Sequence, residues 1–452
     1  MEEKLNFRSN LLIGALLFGL FFGAGNLIFP VQMGQLAGKN TFQATVGFLI
    51  TGVGLPLLGV IATALAQSES LYDLAKSVNK IYSIFFTCML YLTIGPLFAI
   101  PRTATVAFEV GLNPFISEEY FQIGLFVFSL IFFLVTLYFS LRPGRILDWI
   151  GKYLTPIFLI LLSILIIATY VKPMGKVGQF AAEGNYVYKP LFTGLLEGYN
   201  TMDALASLAF AIVIITNIEK LGVKSPKRKA IEVCKSGLVC LVGMGVIYAS
   251  LAYMGATSLD SVGRADNGGK IMSMVSEHYF GFVGKLLLAA IVTVACLKTA
   301  IGLITSCSQM FSEMFPKSFS YNKYALLFTA FSFIIANFGL NKIIQLSIPV
   351  LMFLYPLAIT LIILSLLAPF IKKQKDVYIW TTILTMMAAF FDLCNALPET
   401  LKENVIIGRL IDFAHIFLPG FDHGFGWIVP AFVGFVIGLF IWGIRHWRLL
   451  RN

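Results

Sequence analysis

The stretch GLFFGAGNLIFP, Gly19 to Pro30, sets Gly23, Gly25 and Asn26 in the middle of an apolar run long enough to cross a membrane. Glycine weakens a helix and asparagine is costly to bury, so the group needs a physical reason. A helix unwound here frees amide and carbonyl groups, which hydrocarbon tolerates only when they face a cavity, protein or ligand. Gly23 and Gly25 permit that geometry and a close approach of backbone to ligand. The half-helix starting near Leu27 then offers free N–H groups and partial positive charge to a carboxylate. The carbonyl end of the preceding half-helix faces a cation, and Asn26 supplies an amide oxygen to that cation or to an amine. One break thus suits a zwitterion and an ion. Close helix packing accounts for Gly14 or Gly19 but leaves Asn26 unexplained.

A second interruption falls in LEGYNTMDALA, Leu196 to Ala206, flanked by Glu197 and Asp203. Ionisable groups at membrane depth face a cavity, pair, or carry protons. Asp203 helps hold the unwound segment or faces a permeation path; the alternative is a helix cap that satisfies local N–H groups. Lys298, in IVTVACLKTAIGL, is too far from either end of its span to snorkel. It lies two helical turns before Thr305, on the same face. Its ammonium is suited to replace a sodium ion, to carry a proton, or to pair with Asp203 or a substrate carboxylate. The alternative is a static ion pair. Arg102, after Pro101, is expected near the outer end of its span, at the membrane surface or in an outer vestibule near Glu109.

The elements that must hold these residues are membrane helices. Of 452 residues, 58% are hydrophobic and 12% charged, against about a quarter charged in soluble domains. The mean hydropathy is +0.85. Apolar runs recur near 10–36, 42–66, 81–104, 121–140, 146–171, 190–218, 231–256, 282–313, 322–338, 343–369, 377–397 and 425–445, about twelve spans in all. No linker or soluble domain interrupts them, so residues 1–452 form one transmembrane domain. The two interrupted spans are the first and the sixth. Matching interruptions five spans apart point to inverted repeats around a transporter's binding site. Repeat one covers about 10–171 and repeat two about 190–369, with extra helices at about 377–447.

The net charge of +10 does not indicate a nucleic-acid partner, because about two thirds of the Lys and Arg residues fall on one side of the spans. That side holds KSPKRK, Lys372, Lys373 and the C-terminal arginines, which places both termini in the cytoplasm. The first span is too long for a signal h-region and is expected to be retained. The six cysteines show no CxxC pairing and the four histidines no ligand spacing. No P-loop or catalytic cluster is present, so an enzyme or an ATP-driven pump is disfavoured and no cofactor is expected. A channel or a non-transporting amino acid receptor is the reading from another class; paired broken helices argue against a simple pore.

At FGAGNLIFP, IGPLFAIPRTATVAFEVG (Ile94 to Gly111) and LEGYNTMDALASLAFA (Leu196 to Ala211) the chain resembles the bacterial branched-chain amino acid:cation symporters, the BrnQ-like carriers. The resemblance runs over essentially the whole chain. It implies a LeuT-like all-α fold with helices 1 and 6 broken, in the bacterial cell membrane, taking up leucine, isoleucine and valine with sodium. It also implies a substrate site at Gly23, Ala24, Gly25 and Asn26 with Gly198, Tyr199, Asn200, Thr201, Met202 and Asp203. A sodium site is implied at the carbonyls of Gly19 and Phe22 with Gly302, Thr305 and Ser306, whose i, i+3, i+4 spacing lies on one helix face. Such hydroxyls are also often bonded to their own helix carbonyls. Proton coupling through Lys298 is the alternative to sodium.

Overall fold

The computed structural model describes residues 4–66, 68, 70–145, 147–371 and 374–451. Lys372, Lys373, Ile146 and the extreme terminal residues, used above for charge and span boundaries, lie outside them. Among the described residues every regular element is helical.

The first apolar run is two helices, α1 (Phe7–Phe21) and α2 (Ala24–Ala37), with Phe22 and Gly23 extended between them. A 3-10 turn, Gly38–Asn40, leads into α3 (Thr41–Leu49), and a π-turn, Ile50–Gly54, into α4 (Leu55–Leu65). After the short α5 (Leu71–Ala75), the third span comprises α6 (Lys80–Leu92) and α7 (Ala99–Val106). These two are bent against each other at Gly95, whose ψ of −127° is not helical, and Pro96 follows at once. Proline lacks an N–H and clashes with the preceding turn, which accounts for the bend. Then come α8 (Phe121–Ser140) and α9 (Thr155–Val171).

The sixth run is broken as the first is. Helices α10 (Pro190–Asn200) and α11 (Asp203–Lys220) are bent by 43° across Thr201 and Met202. The chain continues as α12 (Pro226–Val262), α13 (Gly268–Met314, bent at Gly281), α14 (Tyr321–Ala336), α15 (Leu340–Leu366), α16 (Ala368–Ile371), α17 (Lys375–Asn395), α18 (Glu399–Lys402), α19 (Val405–Phe417) and α20 (Ile428–Arg451). Nine stretches among the described residues are long and apolar enough to span a membrane, or ten with the bent pair. The sequence pattern suggested about twelve. The difference arises because α1 has 15 residues and α14 has 16, and because Gly25–Leu65 runs on with hardly a pause.

Hydrocarbon gives no burial gain between helices, so close backbone packing must hold them. A Cβ on Gly34 would lie 2.0 Å from the carbonyl oxygen of Ala252, and one on Gly255 would lie 1.9 Å from that of Val31, so α2 and α12 touch backbone to backbone. The same reciprocal contact joins α3 to α10: Gly47 faces Leu191 O at 2.1 Å and Gly194 faces Ala44 O at 2.0 Å. One device therefore serves the half-helix beside each break. Helices α7, α8, α13 and α14 pack together as a brace, and α13 also bears on α1, α2 and α11. Helix α17 packs on α15 and α20.

Candidate functional site

At the first break Asn26 uses both ends of its amide. Its Oδ1 accepts from the Gly23 N–H at 2.9 Å, capping the free end of α2. Its Nδ2 donates to Asp203 Oδ2 and contacts the Tyr248 hydroxyl, which itself donates to Asp203 Oδ2 at 3.0 Å. Asn26, Asp203 and Tyr248 are all buried. The asparagine that looked costly thus joins the first break to the second and to α12. Asp203 N also donates to Thr201 Oγ1 at 3.3 Å, so the carboxylate holds the break from its side chain while its own amide is capped by a neighbour.

The second break is shorter than the sequence suggested. Helix α10 stays regular through Asn200, and only Thr201 and Met202 depart from it. Met202 has φ +65°, the only left-handed residue other than glycine among those described. Such a conformation costs on the order of 1–3 kcal/mol and persists where the surroundings enforce it. Gly198 is used for packing: a Cβ there would lie 2.0 Å from Thr51 Oγ1. Tyr199 stacks on Tyr355 at 4.1 Å and accepts that residue's hydroxyl on its carbonyl at 2.7 Å. The Asn200 side chain donates to Glu197 at 3.1 Å.

Arg102 is not at the membrane surface. It is buried, with Nη1 donating to Asn200 O at 2.9 Å and Nη2 to Thr201 O at 3.3 Å. The sequence-derived boundary at 104 misplaced it, because a π-turn over Ala107–Leu112 prolongs the apolar stretch to Phe115 and leaves Arg102 well inside. Glu109, expected beside it, instead accepts from the Leu340 N–H at 3.3 Å, capping α15.

Lys298 is also buried, and its ammonium lies on the carbonyl end of α1. It donates to Gly19 O at 3.1 Å and to Phe22 O, under the rings of Phe18, Phe22 and Phe158. Thr299 Oγ1 donates to Phe22 O at 3.2 Å. These are the two carbonyls expected to hold sodium, here met by a cation from the chain. Of the other three residues expected there, Gly302 packs against Leu20, where a Cβ would lie 2.4 Å from Cδ2. Thr305 lines a separate cavity of about 290 Å³ with Val213, Asn217, Gln309 and Tyr321, and Ser306 is buried without a hydrogen bond. Thr305 and Ser306 follow Lys298 by about two helical turns, roughly 10 Å, which carries them away from the carbonyls of Gly19 and Phe22. No ion pair joins Lys298 to Asp203 among the described residues, so the static-pair alternative is not what is found.

Between the breaks lies a cavity of about 30 Å³. It has space for about two waters, so it must widen to take any larger molecule. Its polar wall is Gly23, Gly25, Asn26, Arg102, Thr103, Thr201, Asp203 and Thr299; its apolar wall includes Leu20, Phe21, Ile94, Phe210 and Leu303. Ala24 opens α2, whereas Gly198, Tyr199 and Asn200 lie outside the lining. On the side where α2 ends, Gln35 donates to Ser258 and Gly263 O, and Glu183 N donates to Leu36 O, tying the connection before α10 to the end of α2. Sequence reasoning missed Tyr248, Thr299, Phe210 and Leu303. A tyrosine within the apolar run GVIYASLA was the one signal on offer for Tyr248.

Two unwound breaks facing one closed, half-polar cavity inside a helical brace define a multi-pass membrane transporter rather than an enzyme. The chain belongs to the family described as branched-chain amino acid transport protein, whose model matches residues 6–444. It is 48% identical over 439 residues to the branched-chain amino acid permease BrnQ of Lactobacillus delbrueckii subsp. lactis, covering 97% of each chain. It is 44% identical to the branched-chain amino acid permease BraB of Bacillus subtilis, covering 97% of this chain and 96% of that one. In fold it is similar to Mhp1, a nucleobase-cation-symport-1 family transporter solved in a closed conformation, with TM-score 0.58 and 12% identity over 95% of this chain and 91% of that one.

Proposed function

We propose that the protein imports leucine, isoleucine and valine across the bacterial cell membrane by alternating access, with both termini in the cytoplasm, and that a proton carried by Lys298 drives uptake. The substrate class is supported by family membership and by a cavity that is polar at the breaks and apolar at Leu20, Phe21, Ile94, Phe210 and Leu303. An apolar pocket separates aliphatic side chains poorly, one methylene being worth about 1–3 kcal/mol, so all three are carried. The coupling rests on one observation: the Lys298 ammonium lies on the carbonyls of Gly19 and Phe22. A charged lysine holds the end of α1 in place. Loss of its proton frees those carbonyls and lets α1 move, which links the proton to opening.

Sodium symport, which the family resemblance implies, is the second reading. It is favoured by Thr299 Oγ1, which bonds Phe22 O, one of the same two carbonyls, and adds a hard oxygen suited to sodium once the ammonium withdraws. The test is leucine uptake into proteoliposomes under a proton gradient without sodium, and under a sodium gradient without a pH difference, for the native chain and Lys298→Met. Proton-driven uptake that Lys298→Met loses, with leucine counterflow retained, is the expected result. Uptake that requires sodium in both proteins would overturn proton coupling and leave sodium symport.

A further inference from the structure

Arg102 brings a positive charge into the cavity without a direct ion pair among the described residues. It is 4% exposed and lines the central cavity. Two of its five N–H donors go to Asn200 O and Thr201 O, and the described residues provide no ion pair for it. Guanidinium cannot lose its proton in a protein, so burial does not discharge it. The nearby carbonyls answer part of the charge, and Asp203, on the same cavity, is already engaged by Asn26 and Tyr248.

The other side of the guanidinium faces the amino end of α2. A Cβ on Gly25 would lie 3.1 Å from Arg102 Nη2, so the absent side chain leaves the two in direct approach. The first turn of a helix has N–H groups without helical partners and a partial positive charge. Asn26 satisfies only the Gly23 N–H at this end. A guanidinium and a helix amino terminus therefore converge beside Gly25, in a cavity whose one carboxylate, Asp203, is bonded to Asn26 and Tyr248 and makes no ion pair with Arg102 among the described residues.

We propose that Arg102 is the specificity residue for the substrate's carboxylate, which bridges the guanidinium and the N–H groups at the start of α2. The planar fork gives two parallel hydrogen bonds to a carboxylate, a geometry an ammonium does not match. Without Arg102 the cavity would offer a carboxylate no side-chain cation. The proposal rests on amino acid transport as the function, and it adds a rule: the protein selects for the free carboxylate, refusing amides and esters of the same side chain.

The test is calorimetric binding of leucine and of leucinamide to purified native protein, Arg102→Lys, Arg102→Gln and Gly25→Ala, each first checked for a monodisperse profile. The native chain is expected to prefer leucine by at least about a hundredfold, as sites built to bond a polar group reject analogues lacking it. Arg102→Gln is expected to reduce that ratio below about tenfold, mainly by weakening leucine, with Arg102→Lys in between. Gly25→Ala, which wedges a methyl between the two positive groups, is expected to weaken leucine more than leucinamide. A merely structural role for Arg102 would weaken both ligands alike, and an unchanged ratio in the variants that fold overturns the assignment. A native protein that binds leucine and leucinamide equally also overturns it. A native protein that binds neither overturns the amino acid reading on which it rests.

Discussion

Lys298 stands to α1 as Arg102 stands to α10: each is a buried cation from the bracing helices, placed on the carbonyl end of the half-helix that precedes a break. Among the described residues these two are the buried basic side chains. Breaking a helix at membrane depth exposes carbonyls with no helical partner, and a positive charge at a helix C-terminus is favourable. A soluble protein would leave the task to water; here it falls to a side chain. The two positions also tie the brace, through α7 and α13, to the helices that must move for transport.

Removing the Lys298 cation should create a need for another. Lys298→Ala leaves Gly19 O and Phe22 O buried with space beside them and Thr299 Oγ1 at hand. A buried carbonyl left unpaired costs about 1–3 kcal/mol, so the variant should unfold at a lower temperature than the native chain. Sodium should recover part of the loss, because it restores a positive charge to the same oxygens. Thermal unfolding of the purified proteins in sodium chloride against choline chloride reads this directly. The native chain should show no sodium dependence at this site; a sodium shift in the native chain as large as in the variant would show that Lys298 does not fill the place.

Asn26→Leu should separate the two breaks. The change removes the cap on Gly23 N and two contacts to Asp203 and Tyr248, leaving a buried N–H and a carboxylate with fewer donors. Each buried polar group left unpaired costs about 1–3 kcal/mol. If about 2.7 kcal/mol of that falls on the bound form, leucine affinity drops about a hundredfold. Counterflow in proteoliposomes, with the amount of inserted protein held equal, measures it. Native affinity in the variant would remove Asn26 from the site.

The first break was legible because Gly23, Gly25 and Asn26 violate the apolar pattern around them, and a violated pattern marks a site. The same logic exposed Asp203 and Lys298. Arg102 escaped it. An arginine near the end of a hydrophobic run reads as a boundary, and only the π-turn beyond it, which has no simple sequence signal, puts the residue inside. The residues expected at the ion site divide between two places for a related reason. Thr305 and Ser306 have suitable chemistry and spacing, but spacing fixes a helix face and not a height along it, and they share that face with Lys298 about two turns away. Tyr248, Phe210 and Leu303 come from elements far apart in sequence, and nothing local announces that they meet.

The reciprocal glycine contacts beside the breaks allow a test that separates packing from chemistry. Gly255 and Gly194 each face a backbone carbonyl at a distance a Cβ cannot occupy, 1.9 Å from Val31 O and 2.0 Å from Ala44 O. A backbone oxygen has no rotamer to escape into, so Gly255→Ala must push α12 from α2, and Gly194→Ala must push α10 from α3, by more than about 1 Å in each case. Overpacking of this kind costs about 1–3 kcal/mol. Both variants should lower the unfolding temperature and depress uptake, although neither residue lines the cavity. Gly245→Ala is the control: it lies in α12 with nothing within 4 Å of its Cβ, and replacing a helical glycine there should be neutral or stabilising by up to about 1 kcal/mol. Unfolding temperatures for the three variants, measured side by side, decide the matter. If Gly255→Ala and Gly194→Ala behave like Gly245→Ala, the backbone contacts do not hold the half-helices, and the burden shifts to the side-chain links at Asn26, Arg102 and Lys298.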